Sequence, residues 1–246
     1  MSRQAAQART GVVGTIRDRL LVNALADPDE AARVLPPGLR PHITGDATVI
    51  GCCLLTIEHI RPSVVPAALG LSLVAAAHRI SAEWDDELGA TTVGVYVPVR
   101  HTSSRPAQVV GGRWFPGVHL PATIRTASDG EHLRWTVEPR FASDRYGIRV
   151  QAQVAAGPAT EPSEPIGGTC LAASVGLSPD RRGTLEAARM EPEHRTAQPV
   201  EITELDSGFL AGFTSIRPAS SYVMRDVRVR WTRASAPSAA AEGAAA

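Results

Sequence analysis

Short runs in which apolar and polar residues alternate at every second position, set apart by proline and glycine, dominate this chain. That period marks strands rather than helices. Residues 148–154 set Ile148, Val150, Ala152 and Val154 against Arg149, Gln151 and Gln153. Residues 132–138 set Leu133, Trp135 and Val137 against His132, Arg134, Thr136 and Glu138, and a turn containing Gly130 pairs them with a strand near 122–126. In 93–99, Val93, Val95, Val97 and Val99 share one face; in 222–231, Val223, Val227, Val229 and Trp231 oppose Met224, Asp226, Arg228 and Arg230. The run 47–57 is apolar throughout, as a buried strand requires, and 19–25 form the first strand. A short helix opens at Asp27, a side-chain cap followed by Pro28 at the first helical position, and stops at Leu-Pro-Pro-Gly, 35–38.

These elements predict an α+β chain that is mainly β, a closed β-barrel with a few short helices. One domain spans 15–233, between a disordered segment 1–14 and a disordered Ala-rich tail 234–246. The inward face of a closed barrel can be polar where it lines a ligand cavity. No internal repeat is present.

Composition narrows the chemistry. Across 246 residues, 25 basic side chains balance 25 acidic ones, which argues against nucleic acid as a partner. Every basic side chain is arginine, and lysine is absent. Arginine stays protonated and forms no Schiff base, so amine-based covalent catalysis is excluded for the side chains. Three cysteines, two of them adjacent at Cys52 and Cys53, make neither a disulfide framework nor a zinc-ligand spacing. No apolar run is long enough to span a bilayer; the 64–77 stretch is broken by Pro66 and Gly70. No signal peptide is indicated, so a cytoplasmic protein with no membrane partner is expected.

Three stretches carry a resemblance. Asp-Glu-Ala-Ala-Arg-Val-Leu-Pro-Pro-Gly-Leu at 29–39 is similar to a short helix followed by a "V-P-x-x-L" turn. Gly94-Val95-Tyr96, then Arg100-His101-Thr102-Ser103-Ser104 and Ala107 to Arg113, resembles "G-V-Y…S-L-D-A-S…A-x-x-G-A-R". Phe115 to Pro121 is similar to "F-x-L-P-Y", with a weaker match at Tyr222 to Trp231. In this order they resemble the acetoacetate decarboxylase-like superfamily, over roughly residues 15–233, and specifically an uncharacterised, lysine-free branch of it. The resemblance implies that family's β-barrel, a small-molecule substrate and a homo-oligomer. The family's reactive lysine falls near His119 or Leu120 here, its lumenal glutamate near Cys52, and a further acid of its uncharacterised branch near Ala75. Arg17 falls at a substrate-binding arginine, and Arg79 and Arg113 fall at other arginine positions of the family.

The candidate site follows from these positions. An imidazole titrates near neutrality, so His119 is placed as a general acid or base on a keto or enol substrate. Arg113 and Arg79 supply fixed, bidentate donors for an anionic oxygen. Arg17 makes the same case, with Arg19 its alternative. Tyr96 is a donor to a developing oxyanion, and Glu138 a lumenal acid beside His132 and Arg134. The expected catalytic residues are therefore His119, Arg113 and Glu138; Arg17, Arg79 and Tyr96 bind substrate. No cofactor and no metal are expected. The function expected is a cofactor-independent lyase, isomerase, dehydratase or cyclase acting on a keto or enol metabolite. Its alternative is a non-catalytic protein that binds or senses a small ligand in the same cavity.

Overall fold

The structure, a computed structural model, describes residues 11–86, 89–110, 117–163, 166, 171 and 174–237. Four long antiparallel strands make its centre, in the order β15–β1–β4–β5: β1 (Val12–Ala26), β4 (Ala47–Pro62), β5 (Leu71–Asp85) and β15 (Ser221–Ala234). β2 (Arg40–Pro41), β3 (Ile43–Thr44) and β14 (Arg217–Pro218) are short strands on β5, β4 and β1. Two routes connect β5 to β15. One runs through β6 (Thr91–Tyr96), β11 (Val175–Pro179) and β12 (Leu185–Pro192). The other runs through β7 (Arg100–Thr102), β8 (His119–Ser128), β9 (His132–Pro139), β10 (Ile148–Val154) and β13 (Gln198–Ser207). Together they close the ring of ten strands β12–β11–β6–β5–β7–β8–β9–β10–β13–β15, with β1 and β4 lying across it. The structure is mainly β with a closed sheet, as the alternation implies.

The central strands are long and apolar because both of their faces are covered. On one face Leu20, Val22, Cys52 and Leu54 pack against Leu133, Trp135, Val137 and Val150 in a solid core. On the other, Leu21, Cys53 and Ile57 join Met224, Val227 and Trp231, and here the packing leaves a cavity. Adjacent Cys52 and Cys53 thus point to opposite sides, as consecutive strand residues must.

Local signals hold where they are self-contained. α1 (Pro28–Ala32) is capped by Asp27, whose carboxylate accepts from the amides of Asp29 and Glu30. β8 and β9 form the hairpin turning at Gly130. α2 (Arg105–Val110) follows β7. Three expectations change. β1 begins at Val12, inside the segment 1–14 expected to be disordered, because Val12 pairs with both Trp231 and Pro62. β15 continues to Ala234, where β12 supplies a partner in Ala187. Asp226 has φ 55°, a kink that places Met224 on the same face as Val227, Val229 and Trp231 rather than opposite them. Among the described residues no helix is long and apolar enough to cross a membrane.

The solid face carries one buried polar cluster. The His78 Nε2 lies 3.0 Å from the Tyr146 carbonyl and its Nδ1 3.4 Å from the Cys52 sulfur, and its ring stacks on Phe209. The carbonyl can only accept, so Nε2 carries the proton and Nδ1 accepts from the thiol. Burial pushes the Cys52 thiol up to about 12, which leaves it inert as a nucleophile. Burial also pulls the His78 imidazole down to about 4 from 6.5. The unfolded chain therefore takes up this proton first. Stability contributed by neutral His78 is complete above pH 6.5 and declines as pH falls toward 4. The loss amounts to roughly 3 kcal/mol at most. Urea unfolding between pH 7 and pH 4 should show this decline, and His78→Gln should flatten that part of it.

Candidate functional site

A cavity of about 410 Å³ opens between the central strands and the β6–β11–β12 route. It exists because the residues facing it there are small: Ala75 and Ala77 on β5, Gly176 on β11 and Ala188 on β12. Leu55, Ile57 and Leu73 continue its wall toward the mouth. Four arginines line it from separate strands: Arg19 from β1, Arg79 from β5, Arg100 from β7, and Arg61 near the end of β4, whose Nε and Nη1 donate to the carbonyls of Val65 and His59 at 2.9 and 2.7 Å. His119, at the start of β8, stands in register beside Arg100 and lines the same space. No aspartate or glutamate is among the described residues that line it.

Arg19 and Arg79 are held by groups that leave their charge uncompensated among the described residues. Arg19 is buried, and its Nε and Nη1 meet only sulfur, Cys53 Sγ at 3.5 Å and Met224 Sδ at 3.6 Å. The Arg79 Nη2 donates to the Asn23 side-chain oxygen, while its buried Nε has no hydrogen-bond partner. That contact reaches across β4, because Asn23, Gly51 and Arg79 are aligned in register and Gly51 has no side chain to intervene. The Arg100 Nε and Nη2 donate to the Ser178 hydroxyl at 3.0 and 2.9 Å. Burial lowers the Arg100 guanidinium to about 10, so it remains charged at neutral pH. Neither Arg19 nor Arg79 forms an ion pair with a described carboxylate. Uncompensated buried cations beside apolar walls favour an anion carried on an apolar body.

No family model matches the chain, and no curated protein matches it in sequence. Solved structures do match over nearly its whole length. Acetoacetate decarboxylase from Legionella pneumophila superposes with TM-score 0.58 at 11% identity, over 92% of this chain and 88% of that one. An acetoacetate decarboxylase-like enzyme from Sphingomonas wittichii RW1 gives 0.58 at 14%, over 91% and 92%. The enduracididine biosynthesis enzyme MppR, complexed with the condensation product of pyruvate and imidazole 4-carboxaldehyde, gives 0.59 at 16%, over 91% and 87%. The chain has the acetoacetate decarboxylase-like fold.

Within that fold the expected residues part company. His119 and Arg79 line the cavity. Arg113 lies outside the described residues. Arg17 does not enter the cavity: its half-exposed side chain pairs with Asp226 and, at 3.5 Å, with Glu58. The register steps from Ile16↔Ile57 to Asp18↔Thr56, so Arg17 is the extra residue of a β-bulge. The bulge breaks the rule that residues two apart share a face, and Arg19 is the one that turns inward. Glu138 is exposed on β9 and pairs with Arg125 at 2.9 Å, so it is no lumenal acid. Tyr96 sits on the face away from the cavity, packed with Ile80, Trp84 and Leu177, and burial raises its hydroxyl pKa. It fills core.

Arg100, Asn23 and Arg19 complete the site, and only Arg19 was legible as one of a pair. His101 also borders the cavity, but it pairs with Ala76, and its ring lies on the solid side, where Nε2 meets the buried Asp144 carboxylate at 2.7 Å.

Proposed function

We infer that this protein is a small-molecule enzyme acting on a keto or enol metabolite through acid–base and arginine electrostatic catalysis, without a Schiff base. One observation carries the reading: the buried guanidinium groups of Arg19 and Arg79, with no described carboxylate in ion-pair range, share an apolar-walled cavity with the His119 imidazole. The neighbours of the same fold include enzymes, among them one solved with pyruvate. With no lysine in the chain, the carbonyl carbon is not attacked by a side-chain amine. Chemistry proceeds instead at the adjacent carbon. His119 takes a proton from that carbon, and the electron pair moves through the new C=C bond onto the carbonyl oxygen. The guanidinium groups stabilise the resulting enolate, whose charge they meet in a largely dry site. Return of the proton to carbon or oxygen completes an isomerisation; departure of a leaving group instead completes a lyase or dehydratase step. The reaction classes proposed are therefore lyase, isomerase, dehydratase or cyclase.

The test is deuterium exchange. Protein incubated in D2O with 2-oxobutanoate or 2-oxooctanoate should accelerate loss of the C3 proton signal over buffer, followed by proton NMR. His119→Gln should slow that exchange about 100-fold or more while its melting temperature stays near the parent value. If both acids exchange no faster than in buffer, the catalytic reading is overturned in favour of the second, a protein that binds such anions without transforming them.

A further inference from the structure

Outward from Arg19 and Arg79 the described cavity wall is mostly aliphatic, with Arg61 its one further charged side chain, engaged by the carbonyls of Val65 and His59. Leu55 and Ile57 of β4 and Leu73 of β5 lead outward to Leu71, Trp231 and Leu69 at the mouth. Leu69 is 70% exposed and Leu71 50%, large apolar side chains left facing water at the entrance. Along this path the only neutral hydroxyls are those of Ser104 and Ser174 among the described lining residues. A sugar or other polyol would leave most of its hydroxyls unpaired there, and a cation would meet guanidinium charge. A two- or three-carbon acid would reach the arginines and leave the channel unfilled. At about 410 Å³ the space matches pockets that enclose ligands of drug-like size.

We propose that the substrate is an amphipathic carboxylate with a medium-length aliphatic or aryl-aliphatic tail. Its charged head meets Arg19 and Arg79, and its tail lies along Leu55, Ile57 and Leu73 toward the mouth. The proposal rests on the enzymatic reading above for the word substrate, but the binding preference stands on the cavity alone.

Saturated acids, which carry no keto group and undergo no reaction, separate the two. Butanoate, hexanoate and octanoate titrated calorimetrically into the full-length protein should gain about threefold to fourfold in affinity per added methylene. Octan-1-ol, with the same tail and no charge, should bind at least tenfold more weakly than octanoate. Leu73→Trp fills the channel while leaving the arginines in place. It should weaken octanoate at least tenfold and leave butanoate within about twofold, with an unchanged melting curve. Affinity that is flat with chain length, or octan-1-ol binding as well as octanoate, overturns the proposal. A rising series from a protein that fails the deuterium-exchange test upholds it and removes only the catalytic reading. A flat series from a protein that passes that test does the reverse.

Discussion

Arg19→Met should make the unliganded protein more stable and, in the same stroke, cost it roughly 10- to 100-fold in affinity for an anionic ligand. The two effects share a cause. Arg19 is buried with Cys53 and Met224 sulfurs as its contacts and no described carboxylate in ion-pair range. Sulfur is a weak acceptor, so little offsets the desolvation of the guanidinium. A thioether of similar length suits a corner already lined by sulfur and removes the buried charge. The expected gain is about 1–3 kcal/mol. For a chain of this length that raises the melting temperature by roughly 2–10 °C. Loss of a charge-assisted contact, about 1.5–3 kcal/mol, sets the drop in affinity. Differential scanning calorimetry with and without octanoate measures both. A variant that melts lower yet keeps the full ligand-induced shift would show that Arg19 serves the fold and not the ligand.

The same logic explains the company kept by Arg79. A neutral partner, Asn23, orients its guanidinium without cancelling the charge. A carboxylate in that place would steady the fold and neutralise this part of the cavity. Elsewhere the protein pairs its arginines freely, as Arg40 does with Asp85 and Arg225 with Asp18. Arg19 and Arg79, with no described carboxylate in ion-pair range, contrast with these, and the proposed anion site rests on that contrast.

How much of this is legible in the sequence depends on whether the side-chain period survives. β9 and β10 alternate cleanly because one face packs and the other is wet, and the sequence reading places both within a residue or two. The Asp27 cap needs only its own neighbours. β5 hides in an apolar stretch because both its faces are covered, so no alternation marks where the connector ends at Gly70 and the strand begins. Wherever a bulge or a proline resets the period, the inward residues are misassigned. The bulge at Arg17 exchanges it with Arg19. Pro98 ends the run of 93–99, so Val97 and Arg100, odd and even, line one cavity. Glu138 and Tyr96 fail differently: alternation gives two faces, and only the tertiary fold says which one meets a cavity. The pairs Cys52–His78 and His101–Asp144 join residues 26 and 43 positions apart, and no local motif announces them.

The site's geometry depends most on a residue with no side chain. Gly51→Ala should be the most damaging small substitution in the centre of the sheet. A Cβ there would stand 2.0 Å from the Val22 carbonyl oxygen and 3.0 Å from its carbon, backbone atoms of the neighbouring strand that no rotamer change can move. β1 would have to shift away from β4, breaking ladder bonds between two strands that are covered on both faces. The expected cost is about 4 kcal/mol or more, the range reached only by severe packing faults. That corresponds to a fall in melting temperature on the order of 10 °C, or to insoluble expression. Because Gly51 pairs with Asn23 on one side and Arg79 on the other, the same shift would pull Asn23 off the guanidinium it orients. Octanoate affinity should therefore fall in whatever soluble protein is recovered. A variant melting within about 2 °C of the parent would mean that β1 and β4 do not approach this closely, and the seating of Arg79 against Asn23 would fall with that.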